Sequence, residues 1–364
     1  MYVELHAHSA YSFLDGASLP EELAARAAEL GYRALALTDH DGVYGSLEFA
    51  HAAKAFGVRP ITGAEVTLDD GSHVTLLVES APGYANLCRL LTAAHAGTRD
   101  GKELVPPALD RAVLTELHDG LVCLSGCARH GLAVRNPNGA AALARAFGRE
   151  RFFVELQRPY ERGDERRNAA LRDLAEALRV RTVATGDAHA HHPRRAELQD
   201  VLVAIRHRSS LDGCEAERRG NREAVLMAQG EPAERFPNDR DAVERSGELA
   251  ERLEFDLTED LGYRYPDFSE SGEPAIRQLA CVCDRAFEER YGKTSGHKRR
   301  ARQRLDEELK LIDELGLAGF FLLHWEVLEL ARECALEVRG GSLARNTLPP
   351  GRGRGSSVGS IVCY

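Results

Sequence analysis

No run of about 18 apolar residues occurs in this 364-residue chain, so no membrane-spanning helix is expected. The opening MYVELHAHS lacks the basic and apolar segments of a secretory leader, and a cytoplasmic location is expected. Positive charge is also scarce. The chain has 47 Lys and Arg against 57 Asp and Glu, a net charge of −10. A protein that held nucleic acid by bulk charge would be basic, so any such contact must use a local channel. The eight cysteines form no compact disulfide framework. In a long chain without a leader they read as thiols, with one available as a metal ligand. Neither Cys281-Val282-Cys283 nor Cys123 with Cys127 has paired zinc-finger spacing. No internal repeat occurs.

What is present is a strand–helix alternation over the first 190 or so residues. Residues 2–7 read as a strand. Ser18-Leu19-Pro20-Glu21 reads as a helix start, with Ser18 as cap and Glu21 in the capping-box position. RALALTDH, RPITGAEVTL, HVTLLVE, LVCLSGC, FFVEL and TVATGD are further strand candidates, and Asp69-Asp70-Gly71 forms a hairpin turn. LEFAHAAKAF, GYANLCRLLTAAH and NAALRDLAEALR are the helices between. About seven such units imply an α/β barrel with a mainly parallel sheet. Residues 212–275 read as polar and irregular, and a domain boundary falls near 262. Residues 300–336 carry strong helical patterns, and the tail is rich in Gly, Arg and Ser.

Ligand-type side chains recur at the strand ends. His6 and His8 lie two apart, on one face of a strand. Asp15 follows a short loop, His40 follows the next strand, and Glu65 lies near the end of the third. Cys127 follows LVCLS, and Asp187 and His189 follow TVATG. In a barrel of parallel strands these ends converge on one face. His73 begins a returning strand, so the pattern alone leaves its place open. Each residue alone also has a bland reading: Asp39 as a helix cap, Asp15 as an Asx turn, Cys127 as a core thiol. Glu155 reads as structural. Nine imidazole, carboxylate and thiolate ligands suit zinc, manganese or iron, and exceed the needs of one tetrahedral ion. Two or three divalent ions with Glu65 bridging are expected, a cluster suited to phosphoester hydrolysis.

The stretches LHAHSAYSFLDG, ALALTDHDGVYGSLEF, PITGAEVTL, LSGC and ATGDAHA resemble the PHP (polymerase and histidinol phosphatase) domain. QDVLVAIRH, ELKLIDELGLAGFFLLHWEVLELARE and GRGSSVGSIVCY narrow the resemblance to bacterial C-family polymerase III alpha subunits. FLDGAS, TDHDG and IVCY are most similar to the error-prone branch. The resemblance implies a distorted (βα)7 barrel over residues 1–262, a metal-dependent phosphoesterase domain. A helical linker and the truncated start of an α+β palm would occupy 263–364. It implies His6, His8, Asp15, His40, Glu65, His73, Cys127, Asp187 and His189 as metal ligands. His6, His8, Glu65 and Asp187 would hold one ion, Glu65, His73 and Cys127 a second, and Asp15, His40 and His189 a third. Glu65 and Asp187 are the candidate catalytic residues, orienting water.

The implied activity is 3′→5′ exonuclease chemistry on a DNA primer end. The implied partners are the remaining polymerase domains and translesion accessory proteins, with no membrane. Alternatives are a metal-stabilised structural module and a histidinol-phosphatase-like small-molecule phosphatase. Arg352, Gly353, Arg354, Gly355 and Ser356 could cradle a triphosphate; a flexible tail is the competing reading. Two departures stand out. GGSLARNTLPPGRG is longer than the family's direct run into GRGS. After Glu337 there is no Asp or Glu at all, so polymerase activity is not expected of this chain alone. Lys298-Arg299-Arg300 with Arg302 and Arg304 is either a DNA-facing run or a solvated helix face.

Overall fold

The structure is a computed structural model and describes residues 1–100, 103–262, 272–292, 297–341 and 359–363. It divides into two units, Met1–Leu261 and Gly262–Tyr364. In the first unit the short apolar runs become strands: β1 (Ala34–Leu37), β2 (Arg59–Thr67), β3 (His73–Val78), β6 (Leu121–Leu124), β7 (Phe152–Leu156) and β8 (Arg181–Ala184). They form one sheet in the order β1-β2-β3-β6-β7-β8, while β4 (Arg99–Asp100) and β5 (Glu103–Leu104) pair separately. Neighbours are parallel except at β3, which runs antiparallel to both β2 and β6. ALAL, LVCL and FFVEL are buried at every position, as strands covered on both faces must be.

Residues 3–8 close the curled sheet between β1 and β8. The Ala36 amide donates to the Glu4 carbonyl at 2.9 Å and Thr38 to Ala7 at 2.8 Å. On the other side the Ala188 amide donates to the His6 carbonyl at 3.0 Å, and His8 donates to Ala188 at 2.7 Å. Glu4 and Ala7 are three residues apart, whereas Ala36 and Thr38 are two apart. The closing segment thus carries one extra residue, as in a β-bulge. The strand expected over residues 2–7 is therefore broken into isolated bridges, Glu4 with Leu35 and Ala7 with Ala188. Bulges re-aim side chains. Here Leu5 joins the apolar interior, and the next residue, His6, also faces inward.

Two apolar layers flank the sheet. The inner one comprises Leu5, Ile61, Leu77, Leu124, Phe153 and Val183 with their neighbours, closed at one end by Leu249, Ala250 and Leu253. The outer one joins Leu35, Leu37, Val66 and Val154 to Leu23, Phe49, Leu87 and Leu143 of the surrounding helices. The inner plug belongs to the helix Arg240–Arg252, which lies inside the stretch expected to be irregular. Its buried face is only Ala242, Val243, Ser246, Leu249 and Ala250 among many charges, so its apolar period is faint in the sequence.

The first helix, Pro20–Glu29, also starts one residue later than expected. Leu19 is its cap residue, and the Glu22 carboxylate accepts from the Leu19 amide at 2.9 Å. Ser18 instead holds His191, with its hydroxyl 2.7 Å from the His191 Nδ1.

The second unit contains the helices Ala275–Tyr291, Lys298–Glu314 and Ala318–Arg339, packed around Leu279, Phe287, Leu305, Ile312 and Leu322. Among its described residues there is no strand. On the helix Lys298–Glu314 the basic run is largely ion-paired: Lys298 with Glu288, Arg302 with Asp284 and Asp306, and Arg304 with Glu308. That pattern is a solvated helix face. Arg352, Gly353, Arg354, Gly355 and Ser356 lie outside the described residues. No helix among the described residues is long and apolar enough to cross a membrane.

The β2–β3 hairpin is tied down by Asp70. Its carboxylate accepts from the Ser72 amide at 3.0 Å, Asn136 at 2.9 Å and Arg111 at 3.1 Å. Partial burial opposes its ionisation, but the Ser72 and Asn136 hydrogen bonds outweigh this and pull its pKa down from 3.8 to about 2. A depressed carboxyl stabilises the native state fully above the unfolded pKa, and the benefit fades as pH falls through the folded pKa. Asp70→Asn should therefore lower the melting temperature near neutrality. The gap to the parent chain should narrow between about pH 4 and pH 2, as read by thermal melts across that range. A gap constant with pH would contradict this role.

Candidate metal centre

The inner faces of the strands change character toward one end. Two residues beyond Phe153 on the same face stands Glu155, two beyond Val183 stands Thr185, and four beyond Ile61 stands Glu65. Because β3 is antiparallel, its beginning lies at this end. Glu65 pairs with Thr75, and Thr67 with His73. The reversal settles the place of His73, which the sequence left open.

Two glycines allow the loops to close. Gly126 has φ +92°, and a Cβ there would lie 2.0 Å from the His73 carbonyl oxygen. A Cβ on Gly16 would lie 1.8 Å from the Ser9 carbonyl oxygen, so Asp15-Gly16 folds tightly back on the His8 end of its loop. Asp187 itself adopts φ +52°, a left-handed conformation uncommon outside glycine that Asp tolerates better than most residues.

All nine expected ligands gather here. The His40 Nδ1 lies 3.0 Å from one Glu65 oxygen, and the His73 Nδ1 lies 3.4 Å from the other. The His8 Nε2 is 3.4 Å from the Asp187 Oδ1 and 3.7 Å from the Glu65 Oε2. The His6 Nε2 is 3.6 Å from the Glu65 Oε1 and 3.8 Å from the Asp187 Oδ1. Asp15 sits between His40 at 3.3 Å and His189 at 3.4 Å. Three ligand sets have donor atoms within 4.8 Å of one another: His6–His8–Asp187, His8–His40–Glu65 and Glu65–His73–Cys127. Glu65 is common to two of them, the position a bridging carboxylate requires.

Hydrogen bonds aim the imidazoles. The His6 Nδ1 lies 2.7 Å from the Glu155 carboxylate. A carboxylate can only accept, so Nδ1 carries the proton and Nε2 presents its lone pair when the ring is neutral. The Ser12 hydroxyl donates to Asp39 at 2.7 Å and lies 3.1 Å from the His8 Nδ1. Having given away its one proton, it accepts from His8, which again frees Nε2. Asp39 is thus no helix cap; it anchors Ser9 and Ser12.

The electrostatics divide the imidazoles. Burial and the neighbouring His189 and His40 push His8 down to about 3, a neutral ligand. Burial also disfavours a charged His40, but Glu65 and Asp15 outweigh it and lift that ring to about 9. Burial works against ionised Glu65 as well; His40, His73 and His6 overcome it and hold the carboxyl well below its usual range. Burial, with Glu65 and Asp187, keeps the Cys127 thiol well above its ordinary value.

The arrangement fits metal ions on an observation independent of residue type. Buried polar atoms nearly always have a hydrogen-bond partner. Here the His6 Nε2, His8 Nε2, Glu65 Oε1, His73 Nδ1 and His189 Nδ1 have none, though each is buried. The donor set of imidazole, carboxylate and thiol suits zinc, manganese or iron-type cations.

Sequence reasoning missed two participants. Glu155, read as structural, is fully buried and orients His6. The sign of its role was an acid at the inward-facing end of an otherwise apolar strand. Arg219, in the stretch read as irregular, lies against Asp187 at 3.2 Å, and no periodicity marks it. His191 and His192 belong to none of the ligand sets found among the described residues.

Comparison with known proteins is specific. Residues 4–159 match the PHP domain, and residues 277–364 match the bacterial DNA polymerase III alpha NTPase domain. The chain carries a PHP domain followed by a polymerase III alpha segment. Over its whole length it is 38% identical to error-prone DNA polymerases of Symbiobacterium thermophilum and Mycolicibacterium paratuberculosis. It is 34% identical to one of Xanthomonas axonopodis pv. citri. The expected likeness to the error-prone branch agrees with these relatives. The chain spans about a third of their length, covering 34%, 33% and 32% of each.

Partners that orient a ligating histidine typically alter metal affinity about 10–100-fold when removed. Glu155→Gln should thus weaken manganese or zinc binding about tenfold while the fold persists, as measured by competition with a chromogenic chelator. An unchanged affinity would show that Glu155 only fills the barrel interior.

Proposed function

We propose that this chain is the N-terminal part of an error-prone C-family DNA polymerase, and that its PHP domain hydrolyses the terminal phosphodiester of a DNA primer in the 3′→5′ direction. The observation that carries the reading is the convergence of unpartnered buried lone pairs on shared carboxylates, with Glu65 common to two ligand sets. His6, His8, Glu65 and Asp187 would hold one cation, Glu65, His73 and Cys127 a second, and Asp15, His40 and His189 a third. Such cations supply Lewis-acid charge for phosphoryl oxygens and acidify water. Glu155 and Ser12 keep the His6 and His8 rings turned toward the centre. Glu65 and Asp187, as ligands, orient the attacking water. The cavity above the centre holds about 950 Å³ and is lined by Asp15, Glu65, Cys127 and Asp187 together with Arg129 and Arg206, so it offers an anionic chain both a reactive floor and cationic walls.

No polymerase chemistry is proposed for these residues, which contain no carboxylate after Glu337. The remaining polymerase domains and accessory translesion proteins are the proposed partners. A purely structural metal module and a small-molecule phosphatase are the competing readings.

The test uses the metal-loaded chain and a 3′-labelled primer. His8→Ala and Asp187→Ala should each cut the cleavage rate about 100-fold or more, the equivalent of about 2.7 kcal/mol, with circular dichroism unchanged. If the parent chain never cleaves DNA but chelation lowers its melting temperature, the metals are structural. Turnover of a phosphomonoester without DNA cleavage would favour the phosphatase.

A further inference from the structure

Arg219 reaches the ligand cluster from a segment with no regular structure, whereas Arg206, which pairs with Asp15 at 3.4 Å, comes from a helix end. The Arg219 side chain is only 14% exposed. One guanidinium nitrogen donates to the Asp187 Oδ2 at 3.2 Å, and another lies against the His189 Nε2. The two oxygens of Asp187 are therefore divided. Oδ1 faces His6, His8 and His189, at 3.8, 3.4 and 2.9 Å, while Oδ2 faces Arg219.

The segment bearing Arg219 is pinned from across the cavity. Arg129 is fixed by Glu161 at 2.8 Å and donates to the carbonyls of Glu217 at 3.2 Å and Arg218 at 3.3 Å. Beyond the turn at Gly220, φ +73°, Asn221 donates to the Pro159 carbonyl at 2.7 Å. Arg218 itself points elsewhere, to Asp200 at 3.1 Å. Four backbone and side-chain anchors thus hold a turn that places the Arg219 guanidinium, beside Ala216 and Glu217, on the wall of the reactive cavity.

We propose that Arg219 is a phosphate clamp. It fixes the outer oxygen of Asp187 and offers its remaining N–H groups to a non-bridging oxygen of the phosphodiester at the centre. The proposal rests on the phosphodiesterase reading above. Its physical motive is charge. A fixed guanidinium beside Asp187 would add to the attraction that bound cations exert on an incoming anion. The planar fork has five donors, of which Asp187 takes one, and it matches phosphate geometry. The charge sits where negative charge grows as the phosphorus is attacked, and it needs no reorganisation there.

The experiment compares the full chain with Arg219→Ala and Arg219→Lys, each loaded with manganese. It reads bound metal, binding of inorganic phosphate by calorimetry, and cleavage of a 3′-labelled oligonucleotide. Arg219→Ala should retain its metal and bind phosphate about tenfold or more weakly, as loss of a charge-assisted hydrogen bond implies. Arg219→Lys should recover part of that affinity, since it keeps the charge and loses the fork. Phosphate affinity unchanged in Arg219→Ala would overturn the clamp. So would loss of metal in both variants, which would leave Arg219 only the task of positioning Asp187. A parent chain that binds phosphate through Arg219 yet cleaves no DNA would uphold the clamp and remove the nuclease reading.

Discussion

The fold depends on one electrostatic constraint: Asp15, Glu65, Glu155 and Asp187 share a buried barrel end with five imidazoles. An isolated buried carboxylate costs several kcal/mol in lost hydration, and four together would repel one another as well. The structure answers by alternating acids with imidazoles, so that nearly every carboxylate oxygen faces a ring nitrogen. The answer is incomplete. His8 is driven to about 3 while His40, one ring away, is lifted to about 9. Six buried nitrogen and oxygen atoms of these residues, the Glu155 Oε2 among them, still lack a partner. Added cations would resolve both conflicts at once, because they would take up the free lone pairs and neutralise the shared acids.

Several oddities of the barrel follow from serving that centre. The extra residue between Glu4 and Ala7 turns His6 inward beside Leu5, at the expense of a regular strand. Reversal of β3 delivers His73 from the start of a strand, whereas Glu65, Cys127 and Asp187 come from or beyond strand ends. Gly16 and Gly126 let two loops approach backbone that any larger residue would strike. Below this layer lie Leu5, Ile61, Leu77, Leu124, Phe153 and Val183, sealed by the helix Arg240–Arg252, so the polar end has a largely apolar floor. A low-dielectric floor strengthens each charge interaction above it.

Much of this was legible in the sequence, and the reasons are physical. His6 and His8 could be placed together because a strand repeats every two residues. Cys127, Asp187 and His189 could be placed because parallel strands end on one face. The hairpin at Asp69-Asp70-Gly71 was readable from turn chemistry. What escaped notice has no local period. A single inserted residue leaves no trace in the pattern of residues 2–7. Arg219 is fixed by bonds from Arg129 and Asn221, residues distant in sequence or lost in a polar run. The helix Arg240–Arg252 buries mainly small side chains, so its face is hard to tell from a charged loop. Glu155 looked unremarkable because its partner, His6, is 149 positions away.

The central claim is that the orphaned nitrogens and oxygens are metal ligands. Anomalous diffraction from crystals of the chain grown with manganese or zinc tests it most directly. The account expects scattering peaks at coordination distance, about 2.0–2.3 Å for zinc, from Glu65 and from the sets His6–His8–Asp187 and His73–Cys127. Crystals with no peak within that cluster, or with ions only at surface carboxylates, would contradict it.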